Sequence, residues 1–148
     1  MKKYKLGFDL CGLILFLAIM IPNIIWLSMP APNDILREES LTPVLDSIMS
    51  VFQIIFVGAM CGIVNKDNRK LHLSAWIIVA VISIATYYIT WGFYYSGNSS
   101  TPVVILLTIP PCISFIAYLI DRKNYIALIS AILFTLCHLL HLILNFVV

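Results

Sequence analysis

Charge is what this sequence has least of. Of its 148 residues, nine are lysine or arginine and seven are aspartate or glutamate, 11% in all, where a typical globular domain carries about a quarter. So few charges cannot solvate the surface of a water-soluble protein of 16.7 kDa. The net charge of +2 is too small for a chain that binds nucleic acid. Disorder is excluded by the opposite excess: 61% of residues are hydrophobic, 12% are aromatic and the mean hydropathy is +1.02. No Walker loop, GxGxxG, HExxH, GxSxG or EF-hand loop occurs, so nothing calls for a cofactor, and a non-enzymatic protein is the expectation. CxxC is missing as well. Cys11, Cys61, Cys112 and Cys137 all fall in apolar stretches and read as small apolar residues.

What the sequence does have is long apolar runs. Crossing about 30 Å of hydrocarbon takes about 20 residues at 1.5 Å each, and five stretches qualify: Gly7–Met29, Val44–Val64, Leu73–Tyr95, Pro102–Ile120 and Tyr125–Val147. The connections are too short for any soluble domain. The expectation is therefore an all-α integral membrane protein: one domain over residues 1–148, built as a bundle of five transmembrane helices in the lipid bilayer.

Direction follows from the basic residues. Lys2, Lys3 and Lys5 precede the first span; Lys66, Arg69 and Lys70 separate the second and third; Arg122 and Lys123 separate the fourth and fifth. Only Arg37 lies on the other side, among Asp34, Glu38 and Glu39. The positive-inside rule predicts a plasma-membrane protein with its N-terminus in the cytoplasm and its C-terminus outside. The first span has a basic start like a signal peptide, but no small-x-small site follows Ile25-Trp26-Leu27-Ser28, so an uncleaved helix is expected.

Thr42-Pro43 and Thr101-Pro102 each place a capping hydroxyl before a proline at the first helical position. Pro22, Pro110 and Pro111 fall inside spans, where they free carbonyls that protein or water must satisfy. A weak repeat at an offset of about 65 residues relates Lys5-Leu6 and Trp26 to Lys70-Leu71 and Trp91, which suggests a parallel two-helix unit. An ordinary bundle with inner lysines and an outer aromatic belt has the same appearance.

Polar residues inside spans are costly, so each calls for a partner or a role. At 100° per residue, His138, His141 and Asn145 share one arc of the fifth helix, and Asp46, Ser50 and Gln53 share one of the second. Asp9, Gly12, Phe16 and Asn23 make a stripe on the first; Thr101, Thr108 and Cys112 make one on the fourth. By height, His138, His141, Asn23 and Gln53 gather in the outer third of the bilayer, with Asp46 above them. They predict a vestibule open to the outside and lined by helices one, two and five. Trp91 belongs to the aromatic crowd at the outer end of the third helix and offers a stacking surface.

The histidines have three readings: hydrogen-bonding glue between helices, a ligand or proton site in which an imidazole pairs with Asp46, and metal ligation by His138, His141 and Asp46. Gly58 and Gly62 offer a small-residue face for helix contact. Residues 30–43 read as an outer loop with room for a short interfacial helix capped at Asn33, its acids solvating the loop.

The expected function is the binding of a small molecule or ion from the outer side, as a transporter component or accessory subunit. The alternative is a non-catalytic partner of another membrane protein, of an immunity or regulatory kind. A membrane-embedded metal enzyme comes third. Five helices make a narrow bundle, so a homo-oligomer or a larger membrane complex would complete a transport path.

Overall fold

The structure, a computed structural model, describes residues 3–67 and 71–147. Lys2, Arg69 and Lys70, used above to orient the chain, lie outside the described residues, as does the Lys70 half of the repeat. Five helices are long and apolar enough to cross a membrane, as expected of a multi-pass membrane protein. They are α1 (Leu10–Ser28), α2 (Pro43–Gly62), α3 (Ala75–Tyr95), α4 (Thr101–Asp121) and α5 (Tyr125–Leu142), the last continuing in a π-helical turn over Ile143–Val147. The chain runs up and down, which gathers Lys3, Lys5, Lys66, Arg122 and Lys123 at one end of the bundle, the basic end. Asp34, Glu38, Glu39 and Asp46 gather at the other, the acidic end.

Side chains decide where the helices start. Asp9 accepts from the N–H of Gly12, Ser74 from that of Ile77, and Asn124 from that of Ala127, each satisfying a first-turn donor. The two proline starts behave differently from expectation. The Thr42 hydroxyl does not cap α2 but turns to His141 and Asp46, and Thr101 is itself the first residue of α4.

The first and second spans are shorter than the hydropathy suggests. Tyr4–Leu6 (β1) and Ile63–Asn65 (β2) form an antiparallel ribbon at the basic end, pairing Tyr4 with Asn65 and Leu6 with Ile63. Val64 thus leaves the helix for extended backbone, and Gly7 falls short of α1, which begins at Leu10. The ribbon is locked to the α4–α5 turn: Asn65 Nδ2 donates to the Lys123 carbonyl at 3.0 Å, and Asn124 Nδ2 donates to those of Ile63 at 2.8 Å and Ala59 at 3.1 Å.

The helix α4 is the centre of the bundle, packed against both α3 and α5, while α2 packs on α5. Its face carries Leu107, Phe115, Tyr118 and Leu119, all buried. Phe56 of α2, fully buried, meets Phe115 edge-on at 5.0 Å and Phe134 of α5 at 5.2 Å. Outward faces are apolar, with Ile54, Ile82 and Ile129 each well over half exposed. Along its length α1 touches its neighbours lightly. The two proposed repeat units are therefore packed unlike one another, since α3 and α4 meet closely and α1 and α2 do not.

Candidate functional site

The acidic end is organised by a residue that the sequence reading left in solvent. Asp34, the side chain only 9% exposed, accepts from Trp26 Nε1 at 2.9 Å, Tyr94 Oη at 2.7 Å, the Ala31 N–H at 3.2 Å and Arg37 Nε at 2.9 Å. The Arg37 guanidinium also lies over the Trp26 ring, 4.9 Å from its centroid, and bonds the Trp26 carbonyl. Burial pushes the Asp34 carboxyl up, but the donors from Trp26, Tyr94, Ala31 and Arg37 outweigh it and hold its pKa below the usual carboxylate range. Only Glu38 and Glu39 solvate the loop as expected. The short helix is a single 3-10 turn, Ile35–Arg37, with Asp34 rather than Asn33 before it.

Three adjoining cavities run down from this end. The outermost, about 360 Å³, has Glu38, Glu39, Asp46, His141 and Asn145 in its wall. The middle one, about 290 Å³, has Asn23, Trp91, Thr108, His138 and His141. The deepest, about 270 Å³, has Asn23, Gln53, Pro111, Cys112 and His138. Leu36, Met49 and His141 are shared by the first two, and Asn23, Tyr87, Thr108 and His138 by the second pair.

All seven residues singled out from the sequence, His138, His141, Asn145, Asp46, Gln53, Asn23 and Trp91, thus line one or more of these cavities. The walls expected from α1, α2 and α5 are joined by Tyr87 and the already singled-out Trp91 of α3, and by residues that the sequence did not place, Leu107, Thr108, Pro111 and Cys112 of α4. The signals for them were the polar stripe Thr108–Cys112 and the Pro110-Pro111 pair. Helix order in the bundle is what turns those features inward.

At the mouth, His141 Nδ1 lies 2.6 Å from Asp46 Oδ1. Thr42 Oγ1 stands 3.2 Å from the same nitrogen and receives a bond from Asn145 Nδ2 at 2.9 Å. The Asn145 Oδ1 accepts from the Leu41 N–H at 2.7 Å. This network ties the start of α2 to the end of α5. His138 stands apart, its Nδ1 against Met49 Sδ at 3.0 Å and its ring 6.4 Å from that of His141. His138 Nδ1 thus faces a thioether rather than the Asp46–His141 pair, and among the described residues no group of three His, Cys, Asp or Glu is placed to hold a metal.

Deeper, Asn23 Nδ2 donates to the Ile19 carbonyl at 3.0 Å and to Tyr87 Oη at 2.8 Å. Trp91, 6% exposed, is packed edge-on to Tyr87 and Tyr94. Its indole N–H is buried among these rings and meets no acceptor in good hydrogen-bond geometry among the described residues. Asp9, the buried carboxylate at the start of α1, is in the wall of none of these three cavities. It accepts from Tyr118 Oη at 2.8 Å and Arg122 Nε at 3.3 Å, and is a structural anchor at the basic end. No protein-family model, curated protein or solved structure matches the chain.

Proposed function

We propose that the protein is a multi-pass plasma-membrane protein, N-terminus in the cytoplasm and C-terminus outside, whose vestibule binds a small molecule or ion from the outer side. It acts as a transporter component or an accessory subunit, completed by further copies or by a larger complex. One observation carries this reading: the polar residues of five separate helices, each costly in hydrocarbon, meet in adjoining cavities that begin at the acidic end. The orientation rests on the cations at the opposite end.

Thr108→Cys tests it. In intact cells, a small membrane-impermeant thiol reagent is expected to modify the introduced thiol from outside, with the site located by peptide mass mapping. Modification from the cytoplasmic side alone, or none, overturns the reading.

The partner-protein alternative has one observation in its favour. On α2, Gly58 is exposed, and an added Cβ at Gly58 or Gly62 meets no atom within 4 Å, which leaves a face open to another helix. Co-purification with one stoichiometric membrane protein, lost on Gly58→Leu, would favour it.

A further inference from the structure

We propose that the deep end of the vestibule takes a small uncharged molecule with a flat apolar body and an amide-like head, N–H donors beside one accepting oxygen. This rests on the ligand-binding reading above and names the chemistry of its ligand.

The wall selects against charge. Carboxylates stand only around the outermost cavity; no aspartate, glutamate, lysine or arginine lines the middle or the deepest one. An ion carried that far would shed its water and meet no counter-charge.

Three polar groups select the head. Gln53, Asn23 and His138 come from α2, α1 and α5, and all line the deepest cavity. Gln53 lies on the helix face that carries Met49, Phe56 and Met60, away from the exposed Val51, Ile54 and Ile55. Neither polar atom of its amide has a partner among the described residues. In Asn23 the Ile19 carbonyl fixes the amide's orientation, since only an N–H can face it. Both bonds of that amide fall on Nδ2, so Oδ1 has no donor. Met49 Sδ can only accept, so the His138 Nδ1 beside it carries the proton and Nε2 of the neutral ring is left as an acceptor. Unlike the indole nitrogen of Trp91, these unpaired atoms all keep accessible surface.

The open set is therefore rich in acceptors: Asn23 Oδ1, His138 Nε2 and Gln53 Oε1, against the amide N–H groups of Gln53. A carboxamide on the ligand supplies two N–H donors, and its carbonyl receives Gln53 Nε2. A ketone of the same shape supplies no donor. Phe16, Tyr87, Phe115 and Phe134 make much of the remaining wall, on which a flat ring stacks. At about 270 Å³ this cavity is small for a ligand site, which suits a body of one ring.

The test uses the Thr108→Cys protein, with a neutral thiosulfonate reporting on the introduced thiol by peptide mass mapping. Four single-ring probes compete with it: benzamide, acetophenone, benzylamine and benzoate. Benzamide is expected to protect at a concentration at least about fivefold below that of acetophenone, with benzylamine and benzoate protecting least. Adding Gln53→Met should bring benzamide to the level of acetophenone. Equal or better protection by acetophenone, benzylamine or benzoate, or none by any probe, overturns the ligand class while the reactive thiol leaves the vestibule standing. A preference for benzamide that survives Gln53→Met overturns the role of Gln53. A thiol inert to the reagent overturns the vestibule and the ligand class together. Thermal-stability shifts of the unmodified protein with the same four probes repeat the ranking without any variant.

Discussion

The Tyr88 hydroxyl donates to the Ala18 carbonyl at 2.6 Å. Ala18 is the residue four before Pro22, and proline has no N–H to return to it. A side chain on α3 therefore completes the hydrogen bond that the proline removed from α1. Tyr87 and Tyr95 of the same helix reach the carbonyls of Ile19 and Met29 in α1 and just beyond it. What reads in the sequence as an aromatic belt is, on this face, a row of donors to a proline-containing neighbour.

Tyr88→Phe is expected to lower stability by about 1 kcal/mol, the usual net value of one such bond. In a Pro22→Ala background the Ala18 carbonyl regains a backbone donor, and the same substitution should then cost close to nothing. Thermal unfolding of the four proteins in detergent gives the coupling directly. Equal cost in both backgrounds would separate Tyr88 from the proline.

Asp34 predicts an acid-sensitive end. Its folded-state pKa lies below its unfolded value, so its contribution is complete above the unfolded pKa and is lost as pH falls through the folded one. Asp34→Asn should cost about 2 kcal/mol at neutral pH, in the range of charge-assisted hydrogen bonds. The two stability curves should converge as the pH is lowered through the carboxylate range. Parallel curves across that range would contradict the assignment.

Glycines in α1 and α2 should respond oppositely to added bulk. A Cβ on Gly12 would stand 3.1 Å from Met60 Cγ and 3.4 Å from Tyr118 Cε1, whereas one on Gly58 meets nothing within 4 Å. Gly12→Leu is expected to destabilise by about 1–3 kcal/mol through overpacking. Gly58→Ala should be neutral or slightly stabilising, given the cost of glycine inside a helix. Unfolding midpoints of the two variants decide it.

Asn145 fastens the start of α2. With Asn145→Ala the Leu41 N–H loses its acceptor, and its hydrogen exchange should quicken by about fivefold, the equivalent of about 1 kcal/mol. Exchange in the β1–β2 ribbon, at the far end of the bundle, should not change.

Much of this molecule is legible from side-chain type alone. Each of the five apolar runs becomes a helix, because only a helix satisfies its own backbone inside hydrocarbon. Span ends were less legible. Val64 and Leu6 are apolar enough for a span, but they pair with each other's strands across nearly the whole first hairpin, and hydropathy does not encode a long-range partner. The seven site residues could be found because 100° periodicity and height are both local quantities. Tyr87 and Leu107 could not, since their place in the wall depends on which helices are neighbours. Asp34 was misread for a related reason: four donors from Trp26, Ala31, Arg37 and Tyr94 make a carboxylate internal, and three of those four come from within eight residues of it.

The light packing of α1 gives it a mechanical character that the other helices lack. The ribbon fastens it at one end and the Asp34 cluster at the other, with a tyrosine row between them. A rod pinned at its ends, held along one flank by that row and otherwise lightly packed, rocks about the pinned line at lower cost than it translates. Phe16, Ile19, Met20 and Asn23 sit on that rod and form one wall of the deepest cavity. A few degrees of rocking would alter the bore of the vestibule while α2, α3, α4 and α5 stay in register, so the soft coordinate of this bundle is a rotation.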